Sequence, residues 1–66
     1  MTTGQKIAAA RNKADMTQAQ LAKKMYVQVS VIRDIETGYI EVNDALRGWI
    51  EKILEVQPGE LAADKD

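Results

Sequence analysis

The sequence predicts an all-α fold, a compact bundle of five short helices in one domain spanning residues 1–66. Apolar residues make up 45% of the chain, more than a disordered chain carries. They recur at intervals of three and four residues, which is the period of a helix face. Two Thr-x-x-Gln pairs, Thr2 with Gln5 and Thr17 with Gln20, have the spacing of the capping boxes that begin helices.

The first two helices are predicted over residues 3–14 and 18–25, each directly after one of these pairs. Consecutive alanines at 8–10 strengthen the first helix, because alanine has the highest helix propensity. The second helix spans only two turns and is not stable alone, so packing against the rest of the chain must hold it.

The third helix is predicted over residues 29–37, and Gly38 follows it where a left-handed capping residue is expected. Residues 27–31 alternate between apolar and polar side chains, as a strand does. We reject a strand because Ile32 and Ile35 continue the helical period and no partner strand is available.

The fourth helix is predicted over residues 44–54, with Asn43 as its cap. Its apolar residues fall on one helical stripe: Leu46, Trp49, Ile50, Ile53 and Leu54. Pro58 suits the first turn of a short fifth helix over residues 58–63, which Leu61 anchors to the core.

Composition excludes most kinds of catalytic site. The chain has no Cys and no His, which rules out disulfides, the usual zinc sites and catalysis by thiols or imidazoles. A domain this small can hardly enclose a substrate, so we expect no enzyme, no cofactor and no small-molecule substrate. No apolar run spans a bilayer and no signal peptide is visible, so we expect a cytoplasmic, nucleoid-associated protein without a membrane partner.

Charge is distributed unevenly along the chain. Residues 1–33 carry six basic side chains against one acidic, whereas residues 34–66 carry three basic against nine acidic. A basic half suits an anionic partner such as nucleic acid. The alternative is that these charges are simply solvated.

Residues 18–37 have the pattern of a helix-turn-helix, in which two short helices cross closely. Ala22 supplies the small side chain that the crossing requires. Apolar side chains fill the five positions that hold the crossing angle: Leu21, Met25, Val27, Ile32 and Ile35. Together with the alanine, this pattern would arise by chance roughly 0.1 times in such a chain.

These residues resemble the Cro/CI-type (XRE-like) helix-turn-helix family. The matching stretches are Ile7-x-x-x-Arg11, Met16-Thr17-Gln18-x-x-Leu21-Ala22-x-x-Met25, Val31-Ile32-x-x-Ile35-Glu36-x-Gly38 and Ile50-x-x-x-Leu54-x-Val56. The spacing from Gly38 to Val56 is also similar to the helix-turn-helix domain of multiprotein bridging factor. The resemblance covers residues 4–61. It implies a lambda-repressor-like five-helix fold and a transcription regulator that binds double-stranded DNA, commonly as a homodimer.

The resemblance also implies roles for individual residues. Gln18 matches a glutamine that contacts the DNA backbone and braces the third helix, which is the recognition helix. The outward residues of that helix are Gln28, Val29, Ser30, Arg33, Asp34 and Thr37. Arg33 suits guanine or a phosphate, and Asp34 suits the amino group of cytosine. Further phosphate contacts are expected from three lysines, Lys6, Lys23 and Lys24. Arg11 and Glu36 match a structural ion pair between the first and third helices.

Two features depart from the family pattern. Tyr26 stands where the turn usually has Gly or Asn, so a left-handed backbone there is strained by of order 1 kcal/mol unless the turn takes another path. The loop over residues 39–42 carries no Lys or Arg, although phage repressors commonly place phosphate contacts there.

The cation-free loop and the acidic half favour an alternative function, a protein-interaction module on the same fold, such as a bridging-factor-like coactivator or an antitoxin. Four apolar residues are candidates for a dimer or partner surface: Tyr39, Ile40, Val42 and Trp49. The simpler interpretation is that the loop is tucked under the fourth helix and that Trp49 lies at the rim of the core.

Overall fold

The computed structural model describes residues 1–64, and these residues form four α-helices without a strand. Helix α1 spans Thr3–Lys13, α2 Gln18–Met25, α3 Val29–Thr37 and α4 Asp44–Leu54. The all-α prediction is therefore confirmed, and both Thr-x-x-Gln pairs form complete capping boxes at the starts of α1 and α2. Within the described residues, no helix is long and apolar enough to cross a membrane.

The predicted fifth helix over residues 58–63 is wrong. The segment instead forms turns, in which the Glu60 N–H donates to the Gln57 carbonyl at 3.0 Å and the Ala62 N–H to the Gly59 carbonyl at 3.1 Å. Gly59 has a φ of +86°, a left-handed conformation that interrupts a helix. Pro58 followed by such a glycine suits a tight turn as well as it suits a helix start.

The core draws on every helix and on the C-terminal segment. Its buried members are Ile7, Leu21, Ala22, Met25, Ile32, Ile35, Ile50, Leu54 and Leu61. Helix α3 packs mainly against α2 and α1, while α4 packs against α1 and α2. Leu61 is buried as the sequence predicts, although it lies in a turn rather than in a helix.

The start of α1 lies unusually close to the end of α3. A Cβ atom placed on Gly4 would be 2.4 Å from the carbonyl oxygen of Ile35 and 2.8 Å from that of Glu36. Both neighbours are backbone atoms, so a side chain at this position would force the two helices apart. Gly4 thereby fixes the position of α3, and the sequence analysis did not single it out.

Candidate nucleic-acid interface

The turn between α2 and α3 depends on a small residue and on a residue whose backbone is in the left-handed conformation. Ala22 is 3% exposed at the crossing, and its carbonyl accepts the Val27 N–H at 3.0 Å. Tyr26 ends α2 with a φ of 59° and a ψ of 38°, so the chain follows the path that usually requires Gly or Asn. Its side chain is 92% exposed and therefore gains little from packing that would offset the strain.

Glu36 connects three helices through its carboxylate. Oε2 accepts from Arg11 Nε at 2.7 Å, and Oε1 accepts from Arg11 Nη2 at 3.2 Å and from Gln18 Nε2 at 3.0 Å. Arg11 also donates through Nη1 to the carbonyl of Met16 at 2.7 Å, which holds the loop between α1 and α2. The start of α2 and the last turn of α3 are thus held in a fixed relation.

Gln18 lies on the same side of the molecule as the first residue of α3. Gln18 and Val29 line one shallow hollow, together with the end of α1 and the loop that follows it. Among residues 1–64, the backbone N–H groups of Gln18 and Ala19 have no hydrogen-bond acceptor. The Glu36 bond orients the Gln18 amide and uses one of its two N–H donors, and the backbone N–H groups at this helix start favour an anion.

The outward side of α3 is uncovered in the part of the chain that the structure describes. We call it the recognition face: Gln28, Val29, Ser30, Arg33, Asp34 and Thr37. Four of these residues are exposed, whereas Ser30 and Asp34 are half-buried. Arg33 forms no ion pair with any of residues 1–64, because the nearby Glu36 is occupied by Arg11. Its guanidinium is therefore available to a ligand.

Comparison with known families agrees with this geometry. A helix-turn-helix family model matches residues 7–61, most of the chain. The chain belongs to the Cro/CI-type, XRE-like helix-turn-helix family. This helix-turn-helix domain is thereby assigned to the DNA-binding regulators. It matches no curated protein and no solved structure.

The three lysines predicted as phosphate contacts of the helix-turn-helix domain lie in different places. Lys23 and Lys24 are exposed in the last turn of α2, beside Tyr26. Lys6 instead lines a groove between α1 and residues 54–61, and its Nζ lies 2.6 Å from Asp64 Oδ1. The structure therefore does not bring Lys6 to the recognition face.

Asp64 holds the two ends of the described helix-turn-helix chain together. Its carboxylate accepts from Lys6 and from the amino group of Met1, and its own N–H donates to the Met1 carbonyl at 3.2 Å. The bond from Lys6, followed by that from the amino group, lowers the pKa of Asp64 to about 2.

The four candidate partner-surface residues of the helix-turn-helix domain separate into two kinds. Ile40 and Val42 are half-buried and pack against the core, and the Ile40 N–H donates to the Asp34 carbonyl at 3.1 Å. Tyr39 is 85% exposed and Trp49 is 42% exposed. The loop before α4 is thus partly tucked in, while two aromatic side chains remain open to solvent.

Sequence reasoning missed Glu51, which is the one charged residue among the fully buried residues described. Burial would raise its pKa, but the N–H groups of Gly59 and Leu61 and the Arg47 guanidinium outweigh burial and lower it. The Leu61 N–H donates to Oε2 at 3.0 Å. The sequence feature that could have identified Glu51 is its place between Ile50 and Leu54, two residues of the apolar stripe of α4. Glu51 secures the turns that take the place of the predicted fifth helix.

Proposed function

We propose that this protein is a sequence-specific transcriptional regulator of the phage-repressor or Cro type, which binds duplex DNA as a homodimer inside the cell. Helix α3 enters the major groove with its recognition face toward the bases. The observation that supports this proposal is the open recognition face. Its Arg33 forms no ion pair among residues 1–64, and Glu36 and Gly4 hold the helix in position.

The side chains at the centre of the recognition face supply base readout. Arg33 donates to the N7 and O6 of guanine, which is the commonest specific contact in the major groove. Val29, 46% exposed, contacts a thymine methyl group, and Ser30 donates or accepts. Asp34 accepts from the amino group of cytosine, so it disfavours other bases at that position. Gln28 and Thr37 lie at the two ends of this surface.

Phosphate contacts come from a small set of groups. Gln18 and the N–H groups at the start of α2 contact one phosphate, and Lys23 and Lys24 approach the DNA backbone from the end of α2. Lys6 contributes only if its bond to Asp64 breaks. Because only the lysines neutralise phosphate charge, we expect about two to three neutralised phosphates per protomer and a correspondingly shallow dependence of affinity on salt.

Selection from a random duplex library, followed by fluorescence anisotropy at two salt concentrations, tests the proposal. On the selected site, Arg33→Ala should weaken binding by about 10- to 100-fold for each protomer of the dimer, because each protomer loses one bidentate base contact. The matched control is Lys13→Ala, which removes an exposed positive charge from α1 and should change affinity by less than about threefold.

Two outcomes would contradict the proposal. If the wild-type protein has no affinity for DNA even at low salt, DNA binding is rejected and a protein-interaction module becomes the better interpretation. If Arg33→Ala binds the selected site as tightly as the wild type, α3 is not the recognition helix.

A further inference from the structure

One side of α4 faces solvent along its whole length. We call it the α4 outer face, and its exposed residues are Asp44, Ala45, Gly48, Trp49 and Lys52. At 100° per residue, Gly48 lies near the middle of this face, and the buried Ile50 and Leu54 point the opposite way. None of the packing described for residues 1–64 covers Gly48.

The fold gives no reason for a glycine at position 48. A Cβ atom there would meet no atom of residues 1–64 within 4 Å, in contrast to Gly4, where it would collide with the backbone of α3. Glycine in a helix interior is less favourable than alanine, so this residue weakens α4 without helping the monomer to pack. A missing side chain at the centre of an exposed helix face permits the close approach of another backbone.

The charges on this face are complementary to a second copy of the same face. Asp44 lies one turn before Gly48 and Lys52 lies one turn after it. If two α4 helices cross antiparallel at Gly48, each Asp44 faces Lys52 of the second copy. Such an arrangement has two-fold symmetry and forms two ion pairs. Asp44 is 93% exposed and uses only Oδ1 to accept from Arg47, so Oδ2 is available.

Trp49 supplies an apolar anchor next to the crossing point. It is the only tryptophan of the chain and is 42% exposed, whereas its neighbours on the face, Ala45 and Gly48, have almost no side chain. In an antiparallel pair, the Trp49 side chain of each copy can pack against the flat surface that Ala45 and Gly48 form on the other copy. Tryptophan is enriched among the residues that dominate the binding energy of interfaces.

From these observations we propose that the chain forms a homodimer in which the two α4 helices pack antiparallel, crossing at Gly48. The role of this dimer on DNA rests on the proposed function, but the interface itself does not. A stable interface buries about 800 Å² on each partner, about one sixth of this protomer's 4659 Å². The exposed Tyr39, in the loop that leads into α4, extends the contact beyond the helix.

A charge exchange between the two positions tests the interface by sedimentation equilibrium. Asp44→Lys alone and Lys52→Glu alone each place like charges opposite one another, so each should weaken self-association by about tenfold. When the two variants are mixed, both positions of the heterodimer carry an ion pair again, one in the original polarity and one reversed, so the heterodimer should recover wild-type affinity to within about threefold. The controls Glu60→Lys and Lys13→Glu make the same changes in net charge at exposed sites elsewhere.

The variant Gly48→Gln distinguishes an effect on the dimer interface from an effect on the stability of α4. Glutamine favours a helix over glycine, so the variant should unfold at a higher temperature while remaining monomeric, because its side chain blocks the crossing. The emission of Trp49 should shift to shorter wavelength as the concentration of wild-type protein rises. Gly48→Gln should show no such shift.

These experiments test the α4 interface and the proposed DNA-binding function independently of each other. The interface is overturned if the wild-type chain stays monomeric at all concentrations, if Gly48→Gln dimerises as the wild type does, or if mixing the two charge variants restores nothing. A monomer that still binds its selected DNA site overturns the interface alone. A dimer through α4 without affinity for DNA overturns the proposed function alone.

Discussion

The carboxylate of Glu36 accepts two hydrogen bonds from the guanidinium of Arg11, at 2.7 and 3.2 Å, across 25 residues of sequence. The Glu36 side chain is 7% exposed and the Arg11 side chain 12%. The same carboxylate accepts from Gln18, so the pair determines how α2 and α3 are presented together. The stability of the fold and the placement of the candidate DNA contacts therefore depend on one group.

Removing one partner of this pair should cost more than removing both. Glu36→Leu leaves the Arg11 charge nearly buried without a negatively charged partner and should destabilise the fold by about 2–4 kcal/mol. The double variant Arg11→Met, Glu36→Leu replaces both charges with apolar side chains and should be more stable than Glu36→Leu. Urea unfolding monitored by circular dichroism measures both. A double variant that is less stable than Glu36→Leu would contradict this account.

The same substitution at two helical glycines should have opposite effects. Gly4→Ala places a methyl group against the carbonyls of Ile35 and Glu36, and the displacement of α3 should cost about 1–3 kcal/mol. The methyl group of Gly48→Ala meets no atom of the described residues within 4 Å, so this variant should stabilise α4 by up to about 1 kcal/mol. Thermal unfolding at low protein concentration, where self-association does not contribute, compares the two. Equal effects would mean that Gly4 does not set the position of α3.

Relieving the strain at Tyr26 should stabilise the protein. Tyr26→Asn keeps the left-handed backbone at lower cost and removes a side chain that is 92% exposed, so we expect a gain of about 0.5–1 kcal/mol. The matched control is Tyr39→Asn, because Tyr39 is also highly exposed but has no positive φ. Each variant changes the melting temperature relative to the wild type, and the difference between these two changes measures the cost of the strain at Tyr26. If both variants behave alike, the left-handed conformation carries no measurable cost.

Local signals in the sequence predicted most of the helices. The pairs Thr2 with Gln5 and Thr17 with Gln20 located two helix starts, since a capping box depends only on residues three apart. The prediction of a fifth helix was wrong because Pro58 is compatible both with a helix start and with a tight turn. The left-handed Gly59 that decides between them is not visible in the local pattern.

The features that were missed depend on distant neighbours. Gly4 matters because of the carbonyls of α3, more than thirty residues away, and Glu51 matters because residues 59–61 fold back onto it. The position of Lys6 has the same origin, since Asp64 approaches it only in the folded chain. Periodicity assigns a residue to a face, whereas the partner on the other side of that face comes from tertiary structure.

The buried Glu51 should make stability depend on pH below its ordinary pKa of 4.5. Although burial opposes its charge, the bonds from Gly59 and Leu61 and the nearby Arg47 lower its pKa, so the folded state favours the ionised form. The stability that it contributes is complete above pH 4.5 and is lost as the pH falls through the lowered folded-state pKa. Glu51→Gln removes this dependence and should cost about 1–3 kcal/mol at neutral pH.

Urea unfolding of the wild type and Glu51→Gln between pH 7 and pH 3 measures this effect, and the two stabilities should converge as the pH falls. Asp64 acts in the same direction over a lower pH range, from its ordinary pKa of 3.8 down to about 2, so Asp64→Asn should lower stability above pH 3.8 and approach the wild type only below that pH. Glu60→Gln, which removes an exposed carboxylate nearby, is the control. Parallel curves for the wild type and Glu51→Gln would show that the turns over residues 59–61 do not depend on an ionised Glu51.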